Sequence, residues 1–201
     1  MRLNKFHLLV VGATAALAAC TPAEQNPQDA FFDTILAHCG NAYEGRVTSG
    51  DPETDQTWMN NRIVIEVREC TDTRIRIPLH VGDNHSRTWI ISKTATGLEL
   101  KHDHRLEDGS DDPMTMYGGS TISPGTPYEQ AFPVDEFSKQ LFTELDATVS
   151  LTNTWYMSFP DENTFRYRLS RENREFHVDV DLSNPVEAPQ APWGWEDHYQ
   201  Y

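Results

Sequence analysis

Apolar and polar side chains alternate with a period of two residues through most of this 201-residue chain. Successive side chains of a β-strand point to opposite faces of a sheet, whereas an amphipathic helix repeats every 3.6 residues. The alternation therefore predicts a mainly β protein whose strands each bury one face. The apolar residues that share a face are, group by group, Ile63, Ile65 and Val67; Ile75, Ile77 and Leu79; Trp89 and Ile91; Leu98 and Leu100; Trp155, Met157 and Phe159; Phe165, Tyr167 and Leu169; and Phe176, Val178 and Val180.

The connections between these runs are mostly of hairpin length, as in the turns at 95–97 and 160–163. Eight or nine predicted strands joined in this way indicate antiparallel, up-and-down connectivity. We expect a barrel or half-barrel similar to the calycins, with one or two short helices. A two-sheet β-sandwich stays open as the alternative, because it gives the same alternation.

Two short helices interrupt the β pattern. Asp29 is the expected N-cap of the first, and Gly40 stands where a helix C-terminus favours glycine. Asp135 is the expected cap of the second, whose apolar stripe is predicted to be Phe137, Leu141 and Leu145. Residues 106–134, rich in glycine and proline, are predicted to be loops, and the pair Gly118-Gly119 is predicted to allow a tight bend or a close approach of strands.

The N-terminus has the features of a bacterial lipoprotein signal. A basic start precedes an apolar run at 8–17 that is too short to span a bilayer permanently, and Leu17-Ala18-Ala19-Cys20 resembles a lipobox. We expect residues 1–19 to be removed and Cys20 to carry lipid. Thr21, rather than an aspartate, follows Cys20, which favours the outer membrane, so the predicted location is a lipid anchor there with the body in the periplasm.

The rest of the chain divides into three predicted parts. Residues 20–28 are a polar, flexible tether. Residues 29–184 form one globular β domain, and 185–201 are a proline-rich, aromatic tail. We expect Trp193 to pack on the body and the end of the tail to be loose; an aromatic tail that binds a partner is the alternative.

The negative net charge of the chain argues against some classes of binding partner. The net charge of −15 becomes −17 when Arg2 and Lys5 leave with the signal peptide. An acidic protein is a poor ligand for nucleic acid, because phosphates require a basic surface. Membrane attachment is then expected from acyl chains on Cys20, not from adsorption to anionic lipid.

Two cysteines remain besides the lipidated one. Cys39 and Cys70 would lie in an oxidising compartment, where disulfides persist. Their spacing is not Cys-x-x-Cys, so a disulfide is predicted over a reactive thiol pair.

A histidine pair is the main candidate for chemistry. On the predicted strand 98–105, His102 and His104 share a face with the leucines and so point inward, while Arg105 belongs to the charged face. With Trp89, Arg105 and Tyr117 they are the candidate ligand-binding residues. No cofactor is expected in the simplest interpretation, in which the histidines are buried and hydrogen-bonded.

The alternative is a zinc ion. Two imidazoles at positions i and i+2 of a strand can bind one metal if a neighbouring strand supplies a third ligand. His80 is the candidate third ligand, with His85 as the other choice; acid–base catalysis by the pair is a further possibility.

Other motifs point to little chemistry. The carboxylates at 108–112 lack the later glutamate of an EF-hand and are predicted to form a turn. Tyr117-Gly118-Gly119 lacks the lysine of a phosphate loop, and no Gly-x-Ser-x-Gly nucleophile motif occurs. No catalytic nucleophile is predicted.

A set of short motifs runs from about Phe31 to Trp195. They are Phe31-Phe32, Cys39-Gly40, Glu44-Gly45, Cys70-Thr71-Asp72, residues 76–82, Ser86-Arg87-Thr88-Trp89, Lys101-His102-Asp103-His104-Arg105, Asp108-Gly109-Ser110, Tyr117-Gly118-Gly119, Phe132-Pro133 with Asp135, and Ala191-Pro192-Trp193-Gly194. In these motifs the chain resembles a family of secreted or lipid-anchored bacterial proteins of unknown function. The resemblance implies a stand-alone domain and no activity. The segment Gly40 to Gly45 also resembles the Gly-x-aromatic opening of lipocalin-type barrels.

Three functions remain open. The first is a lipid-anchored envelope protein that binds a small ligand or an envelope partner. The second is a metal-dependent periplasmic enzyme, hydrolase-like, that uses His102 and His104. The third is a purely structural envelope lipoprotein. An interior cavity would favour the first, a third metal ligand beside the histidines the second, and a solid interior the third.

Overall fold

The computed structural model describes residues 25–196. The predicted signal peptide, Cys20 and the start of the predicted tether therefore lie outside the described residues, as does the end of the predicted tail. The strands are β1 (Ala42–Ser49), β2 (Ile63–Glu66), β3 (Glu69–Cys70), β4 (Arg74–Val81), β5 (Asn84–Thr94), β6 (Gly97–His104), β7 (Tyr117–Ser120), β8 (Glu129–Pro133), β9 (Thr154–Asp161), β10 (Thr164–Arg171) and β11 (Arg174–Val186). The helices are α1 (Pro27–Leu36), α2 (Gln56–Met59) and α3 (Glu136–Glu144), with a 3₁₀ turn at Thr148–Ser150.

The strands form one antiparallel sheet that curls into a nearly closed barrel. Its order is β7-β6-β5-β4-β2-β1-β11-β10-β9-β8, with the short β3 paired to β4. Apart from the short β3 and the gap between β7 and β8, each strand thus lies beside its neighbour in the chain, and the last strand returns to pair with the first. This is the predicted up-and-down barrel; the alternative of two stacked sheets is not what forms.

A seam remains between β7 and β8, and Gly119 allows it to close, while Gly118 allows β7 to approach β6 closely. A single backbone bridge joins Gly119 to Val134. A Cβ on Gly118 would overlap the carbonyl oxygen of Leu100, and one on Gly119 would overlap that of Pro133. The predicted close approach of strands at this glycine pair is therefore confirmed.

The seam is also bound from the side by α3. Ser138 is fully buried, and its Oγ accepts a 2.7 Å hydrogen bond from the Gly118 amide and donates to the Gly118 carbonyl oxygen at 3.1 Å. Asp135 caps the helix, as predicted, by accepting from the Ser138 amide at 2.8 Å. The predicted apolar stripe is wrong, since Phe137 is 54% exposed; the helix buries Ser138 and Phe142 because its contact with the barrel is this polar seam.

Helix α1 closes one end of the barrel. Its N-cap is Asn26, with Pro27 in the first turn, three residues before the predicted Asp29. Proline suits this position because the first-turn amide has no partner within the helix. Phe31 and Phe32 are fully buried in the core, and the Phe31 ring lies 5.6 Å from that of Phe159.

The predicted disulfide is present. It joins Cys39, just after α1, to Cys70 on β3, across 31 residues of chain. The bond therefore fastens the end of the plugging helix to the barrel wall.

Parts of the chain predicted as loops contain strands. Both β7 and β8 lie within residues 106–134, where glycine and proline had indicated irregular structure. These two strands have only four and five residues. Such short segments contain too few residues to show the alternation that identifies a strand in the sequence. Within residues 25–196, none of the helices has the length and apolar character needed to cross a membrane.

The C-terminal segment lies against the outer wall. Strand β11 continues to Val186, past the predicted start of the tail. The Trp195 indole nitrogen donates a 2.7 Å hydrogen bond to the buried Asp103, and the Trp193 amide donates to the His85 carbonyl oxygen at 3.1 Å. The Trp195 ring also lies under the guanidinium of Arg76, 4.3 Å from the ring centre.

Candidate functional site

A cavity of about 210 Å³ lies in the barrel at the end opposite α1. Strands β4 to β7 and β9 to β11 contribute its walls, and α2 lies at its mouth. Seven aromatic side chains line it: Trp58, Trp89, Tyr117, Phe142, Trp155, Tyr167 and Phe176. Three arginines and two histidines line it as well: Arg87, Arg171, Arg174, His102 and His104.

The inward face changes from apolar to polar toward the open end. Paired side chains of β5 and β6 run from Ile91 and Leu100, through Trp89 and His102, to Arg87 and His104. On β10 and β11 the pair Leu169 and Phe176 is followed by Arg171 and Arg174. Strand alternation thus places cations at the lip and aromatic rings below them.

Stacked rings form the deeper wall of the cavity. The Trp89 and Tyr167 rings are 4.5 Å apart and inclined by 22°, and the His102 and Tyr117 rings are 4.6 Å apart and inclined by 13°. Trp155 lies 5.0 Å from His102. These rings present flat apolar faces that suit a planar ligand.

His102 uses both ring nitrogens within the protein. Nδ1 lies 3.2 Å from the Tyr117 carbonyl oxygen, which can only accept, so Nδ1 carries the proton. Nε2 then accepts from the Tyr167 hydroxyl at 3.0 Å. Complete burial lowers the pKa of His102 to about 3, and the ring is neutral at pH 7. His102 therefore orients Tyr167 and has no lone pair left for a metal or a proton.

His104 is paired with Tyr117. Its Nε2 lies 3.1 Å from the Tyr117 hydroxyl. Burial, together with the charge of Arg87, lowers the pKa of His104 to about 4, and burial raises that of Tyr117 to about 12. At neutral pH both groups are uncharged, so the arginines and one aspartate determine the charge of the cavity.

The three arginines differ in their partners. Arg174 is neutralised, because it donates to both oxygens of the buried Asp55 at 2.6 and 2.7 Å. Arg171 donates to the amide oxygen of Asn153 at 3.1 Å, and Arg87 donates to the amide oxygen of Asn84 at 2.7 Å. Among residues 25–196, no carboxylate forms an ion pair within 4.0 Å of Arg87 or Arg171.

The predicted third metal ligand lies elsewhere. His80 is buried on the outer face of the wall, where its Nδ1 is 2.5 Å from Nδ1 of His85. Neither of these histidines lines the cavity of His102 and His104. Over the part of the chain that the structure describes, no three histidine, cysteine or acidic side chains are grouped to bind a metal.

Four of the five candidate ligand residues line the cavity. Arg105 does not, because it follows the end of β6 on the same outward parity as Asp103, and it pairs with Asp103 at 3.0 Å and with Asp111 at 2.7 Å. Sequence reasoning missed the cationic lip of Arg87, Arg171 and Arg174. The signal was available for all three: Arg87 shares strand parity with Trp89, Arg171 shares it with Leu169, and Arg174 shares it with Phe176.

Comparisons with known proteins do not place the chain in a family. No family model matches it, and neither the curated proteins nor the solved structures contain a significant match.

Proposed function

We propose that this protein binds a small organic molecule inside its barrel. The observation that carries the proposal is the cavity of about 210 Å³, which combines stacked aromatic faces with a few polar groups at one end. Small-molecule sites usually have this composition. A cavity of about 150 Å³ accepts benzene, so a ring with a small substituent fits here. A purely structural lipoprotein would not require such an opening.

Binding can be followed at the tryptophans themselves. The chain has five, of which Trp89 and Trp155 line the deep cavity while Trp195 lies on the outer wall. In protein labelled with 5-fluorotryptophan, we expect indole to shift the ¹⁹F signals of Trp89 and Trp155 saturably and to leave Trp195 unchanged. Single Trp→Phe variants assign the signals.

The proposal fails if the signals of Trp89 and Trp155 do not move. The test requires folded protein and three compounds of similar size: neutral indole, anionic indole-3-acetate and cationic tryptamine. If none of them shifts Trp89 or Trp155 at millimolar concentration, the barrel does not bind small aromatic molecules.

We further propose that a lipid on Cys20 anchors the barrel to the outer membrane, with its body in the periplasm. The lipobox at residues 17–20 supports this location. We expect mass spectrometry of the mature membrane-bound protein to find Cys20 as its first residue with acyl chains attached, and a Thr21→Ser variant to give the same result. A membrane-bound mature chain without acyl chains on Cys20 would contradict the lipid anchor.

The metal-dependent hydrolase stays a prediction with less support. Both ring nitrogens of His102 are already engaged, and His80 lies on the outer face of the wall. Zinc would have to break the bond from Tyr167 or the bond to the Tyr117 carbonyl before His102 could bind it. Exclusion of nucleic acid likewise stays a prediction from the charge of the chain.

A further inference from the structure

We infer that the ligand is a small aromatic carboxylate, with its ring among the stacked side chains and its carboxylate on Arg87. This inference rests on the proposed function and names the chemical class of its ligand. It depends on three observations: the charge of the cavity, the unmet hydrogen-bonding capacity of Arg87, and the shape of the space beneath it.

The cavity is cationic in an acidic protein. Its lining has three guanidinium groups and one carboxylate, Asp55, which leaves a net charge of +2 while His102 and His104 are neutral. The whole chain has a net charge of −15. An excess of positive charge confined to one pocket favours an anion there and rejects a cation.

Arg87 has donors to spare. A guanidinium has five N–H donors in a planar fork that matches a carboxylate. In the described residues, the hydrogen bond to Asn84 is the one that this guanidinium makes, and its other close contact is with the ring of Trp58, 5.0 Å away. Burial lowers the pKa of Arg87, which indicates a charge that is partly removed from water without a counter-ion. Asp112 acts on Arg87 only from beyond ion-pair distance.

The position of Arg87 fixes the orientation of the ligand. Arg87 stands directly above Trp89 on the same face of β5, one inward position nearer the mouth. A ring resting against Trp89 or Trp155 would therefore present a substituent toward the guanidinium. Tyr167 donates its proton to His102, so it offers no donor that would replace Arg87.

Matched ligands test the charge directly. We expect indole-3-acetate to bind at least about tenfold more tightly than indole-3-acetamide, because a hydrogen bond to a charged group exceeds a neutral one by about that factor. Tryptamine, the cationic analogue, should bind more weakly than both. Dissociation constants come from the same ¹⁹F titrations of Trp89 and Trp155.

Matched variants identify the arginine. In Arg87→Met, the preference for acetate over acetamide should fall below about threefold, while the affinity for the neutral amide changes little. Arg46→Met removes the same charge from the exposed outer wall and should leave the preference unchanged. Arg87→Lys should keep part of the preference, since it keeps the charge but loses the planar fork.

The outcomes separate this inference from the proposed function. If indole, indole-3-acetate and indole-3-acetamide bind in the cavity with equal affinity, or if tryptamine binds best, the assignment of a carboxylate ligand is overturned. The proposal of small-molecule binding then still stands. If the acetate preference survives in Arg87→Met, the role of Arg87 is overturned. If no compound shifts the cavity tryptophans, the proposed function itself fails. The wild-type comparison needs no variant, so a poorly folded Arg87→Met would not rescue the inference.

Discussion

Replacement of Gly119 by alanine is expected to destabilise the barrel by about 3 kcal/mol or more. The new Cβ would overlap the carbonyl oxygen of Pro133, an atom of the β8 backbone that cannot move aside as a flexible side chain could. To relieve the overlap, β7 and β8 must separate, which breaks the bridge from Gly119 to Val134 and the bond from the Asp135 amide to Gly118, 3.0 Å long. The free energy of unfolding from urea titration measures the effect.

The control variant lies one position further along the same strand. Ser120 is half-buried and already has a Cβ, so Ser120→Ala removes only a hydroxyl and should change stability by less than about 0.5 kcal/mol. Equal stability of Gly119→Ala and wild type would show that the seam does not depend on close approach of the two strands.

Removal of the disulfide has the second large expected effect. Closing a loop of 31 residues restricts the unfolded chain, and the chain-entropy estimate for the double variant Cys39→Ala/Cys70→Ala is a loss of about 3–4 kcal/mol. For a domain of this size, that loss lowers Tm by about 10 °C. Differential scanning calorimetry measures it.

Treatment with a reductant is the control for the effect of the disulfide itself. A phosphine should lower the Tm of wild type toward that of the double variant and leave the double variant unchanged. The stabilising role of the disulfide is refuted if wild type and variant melt at the same temperature without reductant. Because Cys39 follows α1, we also expect hydrogen exchange to accelerate first at Phe31 and Phe32.

Sequence reasoning predicted the walls of the barrel better than its closure. The alternation of apolar and polar residues indicates which face of a strand is buried. It correctly placed residues such as Ile75, Ile77 and Leu79 in the core. The seam depends instead on the absence of a side chain at Gly119 and on the hydroxyl of Ser138. A periodic pattern within one strand does not indicate which distant strand or helix will approach its backbone closely.

The same reasoning applies to the site. His102 and His104 were placed inside because they share parity with leucines, and that placement is correct. Arg87 and Arg171 obey the same parity, yet charged side chains are usually assigned to solvent. The folded barrel shows that the inward-facing side chains of these strands end at an open mouth, where a guanidinium can remain partly solvated. Conversely, His80 shares its strand with core residues but lies on the outer face, where its ring packs against that of His85.

The position of α1 determines the side of the barrel from which a ligand could enter the cavity. Pro27 lies seven positions after Cys20 in the chain, so a lipid on Cys20 would hold the start of α1 within about 25 Å of the bilayer. The helix seals that end, and the mouth opens at the other. Cargo would then enter and leave through the aqueous side of the periplasm and not by lateral diffusion from the lipid, which suits a water-soluble acid better than a membrane-dissolved hydrocarbon.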